Sequence, residues 1–252
     1  MASSSAPLVY LVLGTAGSGR REVIADLIDG GLGENERAAV LLSATEAPDE
    51  FDARLPGLAR WTWHDTHIAA ALPAGATRVF FVTDGRANPV DQIEAFKAWL
   101  AAQGGALARV LCVVHCRLAE QHPPLLAWFE ACVHFSDIVL LNRREGVANK
   151  WLSGFRAHFA KQFYPCLFET VKAGRVANPA LVTEPQARRL SHLFDEELEW
   201  VFTDGDGEEI DEQQEADDED EVTAAPAEDP YLARDAAGRR VKKVPDLAKY
   251  LP

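Results

Sequence analysis

Long apolar runs, positive charge and cysteine are all in short supply in this 252-residue chain. No apolar run reaches the roughly 18 residues that a membrane-spanning helix needs, so no membrane partner is expected. The opening Met1-Ala2-Ser3-Ser4-Ser5-Ala6-Pro7 lacks the basic start and separate apolar core of a signal peptide. Four cysteines (Cys112, Cys116, Cys132, Cys166) suggest no disulfide framework, and together these features predict a cytoplasmic protein. Asp and Glu number 39 against 25 Lys and Arg, a net charge of −14. No strong basic face is evident, and no nucleic-acid partner is expected. The deficit is local: Thr203 to Asp229 holds 14 acidic residues and no Lys or Arg, so the whole imbalance sits there. The remainder, with apolar residues at 48% of the chain, has the length and composition of one large α/β domain.

The chain is organised around Leu8-Val9-Tyr10-Leu11-Val12-Leu13-Gly14-Thr15-Ala16-Gly17-Ser18-Gly19-Arg20-Arg21. An apolar run ends in a glycine-rich loop, and Val23, Ile24, Leu27 and Ile28 then repeat at helical spacing. Strand, tight loop and helix is the context of a phosphate-binding loop, in which backbone N–H groups and a helix N-terminus face an anion. Gly14 and Gly19 have the spacing of G-x-x-x-x-G-K-S/T, but Arg20 occupies the Lys position and Arg21 the Ser/Thr position. Arg20 still offers a cation, although its planar fork is not equivalent to an ammonium. Arg21 lacks the hydroxyl that binds Mg²⁺. The alternative, a glycine turn with no ligand, stays open.

Further along, residues 38–42, 78–82, 110–114 and 136–141 read as buried strands, with Arg60–Trp63 as a short edge strand and Tyr164–Thr170 as a last one. Helices are expected after Asn88, over Pro124–Val133, over Trp151–Phe163 and from Thr183 to about Phe202, the last with Thr183 as cap and Pro185 in its first turn. Doubly buried strands alternating with helices imply a three-layer α/β domain with a mainly parallel sheet. Ligands on such sheets sit at the carboxyl ends of the strands, where Gly14–Arg21, Thr83–Asn88, His115–Cys116, Asn142–Glu145 and Thr170–Gly174 fall.

Three segments in order resemble the CobW/HypB/UreG group of P-loop GTPases, CobW-like proteins most closely. They are the loop Gly14–Arg21, the stretch Val82-Thr83-Asp84-Gly85-Arg86-Ala87-Asn88-Pro89-Val90, and Phe135-Ser136-Asp137-Ile138-Val139-Leu140-Leu141-Asn142-Arg143-Arg144-Glu145. The second is similar to that family's E-T-x-G-L-A-D-P, the third to its F-A-D-x-x-L-N-K-x-D. The resemblance covers about residues 8–175 and implies a P-loop NTPase-like fold with GTP or GDP as ligand, Mg²⁺ being left open. It implies that Gly14, Gly17, Ser18 and Gly19 cradle phosphates, that Arg20 and Arg21 stand beside them, and that Asp84 and Gly85 lie near the γ-phosphate. Asn142 and Glu145 would contact the base, with Lys172 approaching from the last loop. Several departures stand against full activity. The loop lysine and hydroxyl are gone, Val82 replaces a glutamate, the C-x-C-C metal motif is absent, and an acidic tail follows where a second domain is expected. The resemblance therefore implies a degenerate member that binds a guanine nucleotide weakly, hydrolyses it slowly or not at all, and acts through a protein partner. The alternative is a pseudo-GTPase scaffold with an empty site that works through its C-terminal peptide. A competent GTPase or metallochaperone is disfavoured by Arg21 and by the missing cysteine motif.

Residues 1–202 are thus expected to form the P-loop domain and 203–229 an acidic disordered linker. Residues 230–252, with six Lys and Arg against two Asp, are expected to form a basic docking segment for a protein partner, or a tail that folds back on its own domain. Cys112-x-x-His115-Cys116 and His64-Asp65-Thr66-His67 invite a metal reading; buried core cysteine and a solvated loop are preferred. Trp99, Trp128, Trp151 and Trp200 read as helical core positions, and no G-x-S-x-G elbow is present.

Overall fold

The computed structural model describes residues 6–64, 66–195, 200–203, 223–226 and 228–251. They form two compact units, Met1–Leu190 with Val244–Pro252, and Ser191–Lys243. The first is built on a nine-stranded sheet. Its strands are β1 (Leu8–Gly14), β2 (Ala38–Ser43), β3 (Ala59–His64), β4 (His67–Ala69), β5 (Arg78–Val82), β6 (Ala106–His115), β7 (Ile138–Asn142), β8 (Leu167–Lys172) and β9 (Arg175–Val176). The order is β4-β3-β2-β5-β1-β6-β7-β8-β9. Every pair from β3 to β8 is parallel, and only the outer pairs β3–β4 and β8–β9 are antiparallel. This is a P-loop NTPase-like layout, with the strand that feeds the glycine loop at the centre.

The helices are α1 (Arg20–Gly31), α2 (Pro89–Gln103), α3 (Cys116–Gln121), α4 (Leu126–His134), α5 (Asn149–Ala160) and α6 (Pro179–Thr183). Side chains alternate across the strands, so each sheet face collects its own apolar set. Tyr10, Val12, Val40, Leu42, Phe80, Val82, Leu111 and Leu140 pack with Val23, Ile24 and Leu27 of α1 and Val182 of α6. On the other face Phe81 meets Trp61, Phe96 and Trp99 at ring separations of 5.1, 5.1 and 5.0 Å. Asn88 caps α2 by accepting the Val90 N–H at 3.0 Å, with Pro89 in the first turn. Trp99 and Trp128 are buried, and Trp151 is half-buried against Phe155. No helix among the described residues is long and apolar enough to cross a membrane.

The helix expected from Thr183 to about Phe202 is not formed in its described part: α6 ends at Thr183, Glu184–Asp195 is turn and coil, and residues 196–199 lie outside the described residues. Pro185 pushes Glu184 into extended backbone, observed at φ −65°, ψ 124°. Backbone groups that a helix would need are used by tertiary bonds: Tyr10 Oη donates to Thr183 O at 2.5 Å, and the Arg188 N–H donates to Asp137 at 2.6 Å. Trp200–Thr203 is a strand, β10, paired antiparallel with β11 (Thr223–Pro226). Of the expected linker, residues 204–222 and 227 lie outside the described residues. The edge expected at Arg60–Trp63 is carried by β4 instead, because His64 and His67 face each other across a tight antiparallel pair. Leu247 is buried within the first unit and the Tyr250 ring lies 5.3 Å from His122, so the last residues fold back on that unit.

Asp137, fully buried, accepts from the Val110 N–H at 2.6 Å and the Arg188 N–H, and pairs with Arg189 at 3.4 Å. Arg109 lies opposite Tyr10 on the same side of the sheet, also fully buried, and none of its guanidinium nitrogens has a hydrogen-bond partner among the described residues. Burial pulls its pKa down; the charge of Asp137 only partly opposes this. Replacing a buried charge by a well-packed apolar group is often neutral or stabilising, whereas stripping the partner from a buried charge costs about 3–5 kcal/mol. Thermal denaturation should therefore find Arg109→Met at or above the wild-type melting temperature and Asp137→Ala far below it. A large loss in Arg109→Met would show that the guanidinium is compensated after all.

Candidate functional site: a phosphate-type loop closed by its own side chains

β1 delivers the chain to Gly14, and the loop Thr15–Gly19 turns it into α1. Gly19 caps the helix at φ 83°, ψ 29°, a left-handed conformation that favours glycine, and a Cβ there would come within 2.5 Å of the Asn142 side-chain nitrogen. The Ala16 N–H donates to Gly85 O at 2.8 Å and the Ser18 N–H to Thr15 O at 3.1 Å. Thr15 and Ser18 are fully buried, and their hydroxyls have no hydrogen-bond partner among the described residues.

The two arginines that replace lysine and hydroxyl residue are buried at the start of α1, Arg20 at 4% exposure. Arg20 donates through Nη1 to Thr83 O at 2.5 Å and through Nη2 to Glu46 Oε1. Arg21 donates through Nη2 to the other Glu46 oxygen at 2.9 Å and to Ala47 O at 2.8 Å, and through Nη1 to Asp52 at 2.9 Å. Arg60 completes the chain on Asp52 at 3.1 Å and holds the Ser43 and Glu46 carbonyls. One carboxylate therefore bridges the two guanidinium groups at the P-loop positions where phosphate and metal would be expected.

The other expected residues reach the same edge in different ways. Asp84 follows β5 and accepts from Thr45 Oγ1 and the Arg86 N–H, both at 2.9 Å. Gly85 packs so tightly that a Cβ would lie 2.3 Å from Ala16 N and 2.4 Å from Arg20 Nη2. Asn142 ends β7, buried, with its amide donating to Ser18 O at 2.8 Å. Glu145 is carried by the turn after β7 and lines a cavity of about 390 Å³ with His115, Arg117 and Arg143. Lys172 ends β8, exposed, opposite Arg175 across the turn to β9. That turn approaches α1 at Gly174, where a Cβ would meet the Glu22 carboxyl at 2.3 Å. A second cavity of about 380 Å³ lies over the loop, lined by Gly17, Arg20, Glu46, Asp84, Arg86 and Arg143 among others.

Sequence reasoning gave no role to Glu46 and Asp52, in the loop after β2, or to Arg60, which it read only as part of the short edge strand Arg60–Trp63 and which lies in β3. It also gave Arg143 no role, although its guanidinium sits at Gly17 O (3.4 Å) and pairs with Glu22 at 3.2 Å. All four cysteines are buried and unpaired. Burial pushes the thiols of Cys116 and Cys166 up to about 12 and that of Cys132 well above its ordinary value, so these three stay protonated at neutral pH.

No family model and no curated protein matches this chain. Among solved structures it is similar to the Zn(II)-bound YjiA GTPase from E. coli, at 14% identity over 79% of this chain and 72% of that one, with a TM-score of 0.40. It is also similar to a Zn(II)-bound triple mutant of YjiA GTPase, at 15% identity over the same shares, with a TM-score of 0.45.

His115 caps α3 by accepting the Leu118 N–H on Nδ1 at 3.1 Å. Burial lowers its pKa below the ordinary 6.5, and Arg143 and Arg117 add to this. The neutral ring is thus favoured by folding, and its contribution is complete above pH 6.5 and lost as pH falls through 6.5 toward the lower folded value. Asn at this position keeps a capping acceptor without titrating. His115→Asn should flatten the decline of melting temperature between about pH 7 and 5; an unchanged acid limb would remove His115 as its source.

Proposed function

We propose that this chain is a P-loop domain without effective phosphoryl-transfer chemistry, a pseudo-GTPase that holds its phosphate loop closed on its own Glu46 and acts through a protein partner. The observation that supports this is the Glu46 carboxylate shared by Arg20 and Arg21. Charge-assisted hydrogen bonds contribute about 1.5–3 kcal/mol each, so an incoming phosphate must offset the loss of two such contacts before it gains any. Mg²⁺ finds no hydroxyl at position 21, and phosphoryl transfer depends on such positioned cations. GTP or GDP is on this reading a weak ligand, read by Asn142 and Glu145 if it enters. Contact with a partner falls to the C-terminal segment 230–252, in the part before Val244, since the residues from there on fold back. Its exposed turn carries Arg234, Arg239, Lys242 and Lys243 around Gly238 (φ 76°), a basic surface suited to an acidic partner.

Calorimetric titration with GDP, GTP, ADP and ATP, with and without Mg²⁺, tests the closure. Wild-type protein should bind none of them in the micromolar range. Glu46→Gln, which keeps the shape and removes the charge, should tighten guanine nucleotides by about tenfold or more, 1.4 kcal/mol. Micromolar binding with Mg²⁺-dependent turnover by the wild-type protein would overturn the proposal.

A further inference from the structure

The stretch from His64 to His67, expected as a solvated loop, is the tip of a hairpin. β3 ends at His64, β4 starts at His67, and the two histidines are register partners in the antiparallel pair. Residue 65 lies outside the described residues, and the site is built without it. Residues directly opposite in such a pair carry their side chains on one face, with Cβ atoms about 4.5–5.5 Å apart. Trp63 and Ile68, the next pair inward, take the other face, where Ile68 is buried. Both imidazoles are exposed. Each is held at one nitrogen by a threonine hydroxyl, His64 Nε2 by Thr62 Oγ1 at 3.2 Å and His67 Nδ1 by Thr66 Oγ1 at 3.3 Å. With the rings as donors, lone pairs remain on His64 Nδ1 and His67 Nε2. No Lys or Arg occurs from Trp61 to Thr77, and the Arg60 guanidinium is bonded to Ser43, Glu46 and Asp52.

Metal-ligating histidines have this arrangement: the outer hydrogen bond of each ring fixes which nitrogen offers its lone pair. Exposed rings on one face can turn about their side-chain torsions to share an ion at the length of a metal–imidazole bond, about 2.0–2.1 Å. Imidazole suits zinc, nickel and copper, whereas hard ions such as Mg²⁺ prefer oxygen. We propose that His64 and His67 chelate one divalent transition-metal ion of the zinc, nickel and copper class at the hairpin tip. Among the described residues no three metal-binding side chains come together, so the protein supplies two ligands and water completes the shell. β4 is the outermost strand, four places from β1 in the sheet order, and the site does not rest on the reading of the glycine loop.

The test is calorimetric titration of the full chain with ZnCl₂, with about 5 mM MgCl₂ present to occupy the carboxylates of the acidic run. A single Zn²⁺ per chain should saturate in the micromolar range. His64→Gln and His67→Gln, both at exposed positions, should each weaken that binding by about tenfold or more with melting temperature unchanged. A dissociation constant above about 1 mM, or full affinity in the double variant, would overturn the assignment. Should a variant fail to fold, Cu²⁺ added to wild-type protein decides the matter. Below one equivalent this paramagnetic ion should broaden the amide resonances of residues 62–69 before any others, and earlier loss of signals elsewhere in the chain would also overturn it.

Discussion

Two guanidinium groups are buried in the first turn of α1, and neither can remain there without a counter-charge. The helix makes the problem worse, because its N-terminus is the positive end of the dipole and favours anions. Glu46 and Asp52 answer both demands at once. They neutralise Arg20 and Arg21 and bring negative charge to the helix start. Removing one partner of such a buried set costs about 3–5 kcal/mol, a large part of the 5–15 kcal/mol that holds a typical domain together. The loop after β2 is therefore tied to the start of α1 by charge rather than by apolar packing.

The choice of arginine matters to this arrangement. A lysine ammonium is a compact point charge, whereas the guanidinium fork donates in two directions from one plane. Arg20 uses both, reaching Thr83 O at the end of β5 and Glu46 in the loop after β2. Gly85 gives way to it, since any side chain there would collide with Arg20 and with the Ala16 N–H that its own carbonyl receives. A glycine that the family resemblance assigns to a γ-phosphate contact has, in this chain, a sufficient reason in the fit of Arg20 against the glycine loop.

What was legible in the sequence follows from what kind of signal each feature leaves. The run Leu8–Gly14 and the helical spacing of Val23, Ile24 and Leu27 are local patterns, and they placed β1, the loop and α1 directly. The buried strands at Val79–Val82, Val110–Val114 and Ile138–Leu141 were equally plain, because central parallel strands are apolar on both faces. The Glu46 clamp left no such trace. Its partners Arg20 and Arg21 lie 26 and 25 residues away with β2 between, and an ion pair of that span has no periodicity to read. The region after Thr183 failed for the opposite reason. Leu190 and Leu193 mimic a helical stripe, but Pro185 and the bonds to Asp137 and Tyr10 hold residues 184–195 in extended and turn conformations, and tertiary contacts override the pattern. The small outer strands β4 and β9 were missed because two or three residues carry almost no signal.

The carboxyl edge of the sheet carries two neighbouring spaces. One is lined by Arg20, Arg21, Arg86 and Arg143 together with Glu22, Glu46, Asp49, Glu50 and Asp84, and the other by Asp84 and Asp91 with no basic side chain in its lining. Thr45 and Asp84 line both, and the hydrogen bond between them, 2.9 Å long, belongs to the partition. Thr45 is also the residue that precedes Glu46, so a shift of that loop which frees Glu46 from the arginines must strain or break the Thr45–Asp84 bond as well. The start of α1, the loop after β2 and the turn after β5 thus form one connected element of the edge, with Glu46 at its centre.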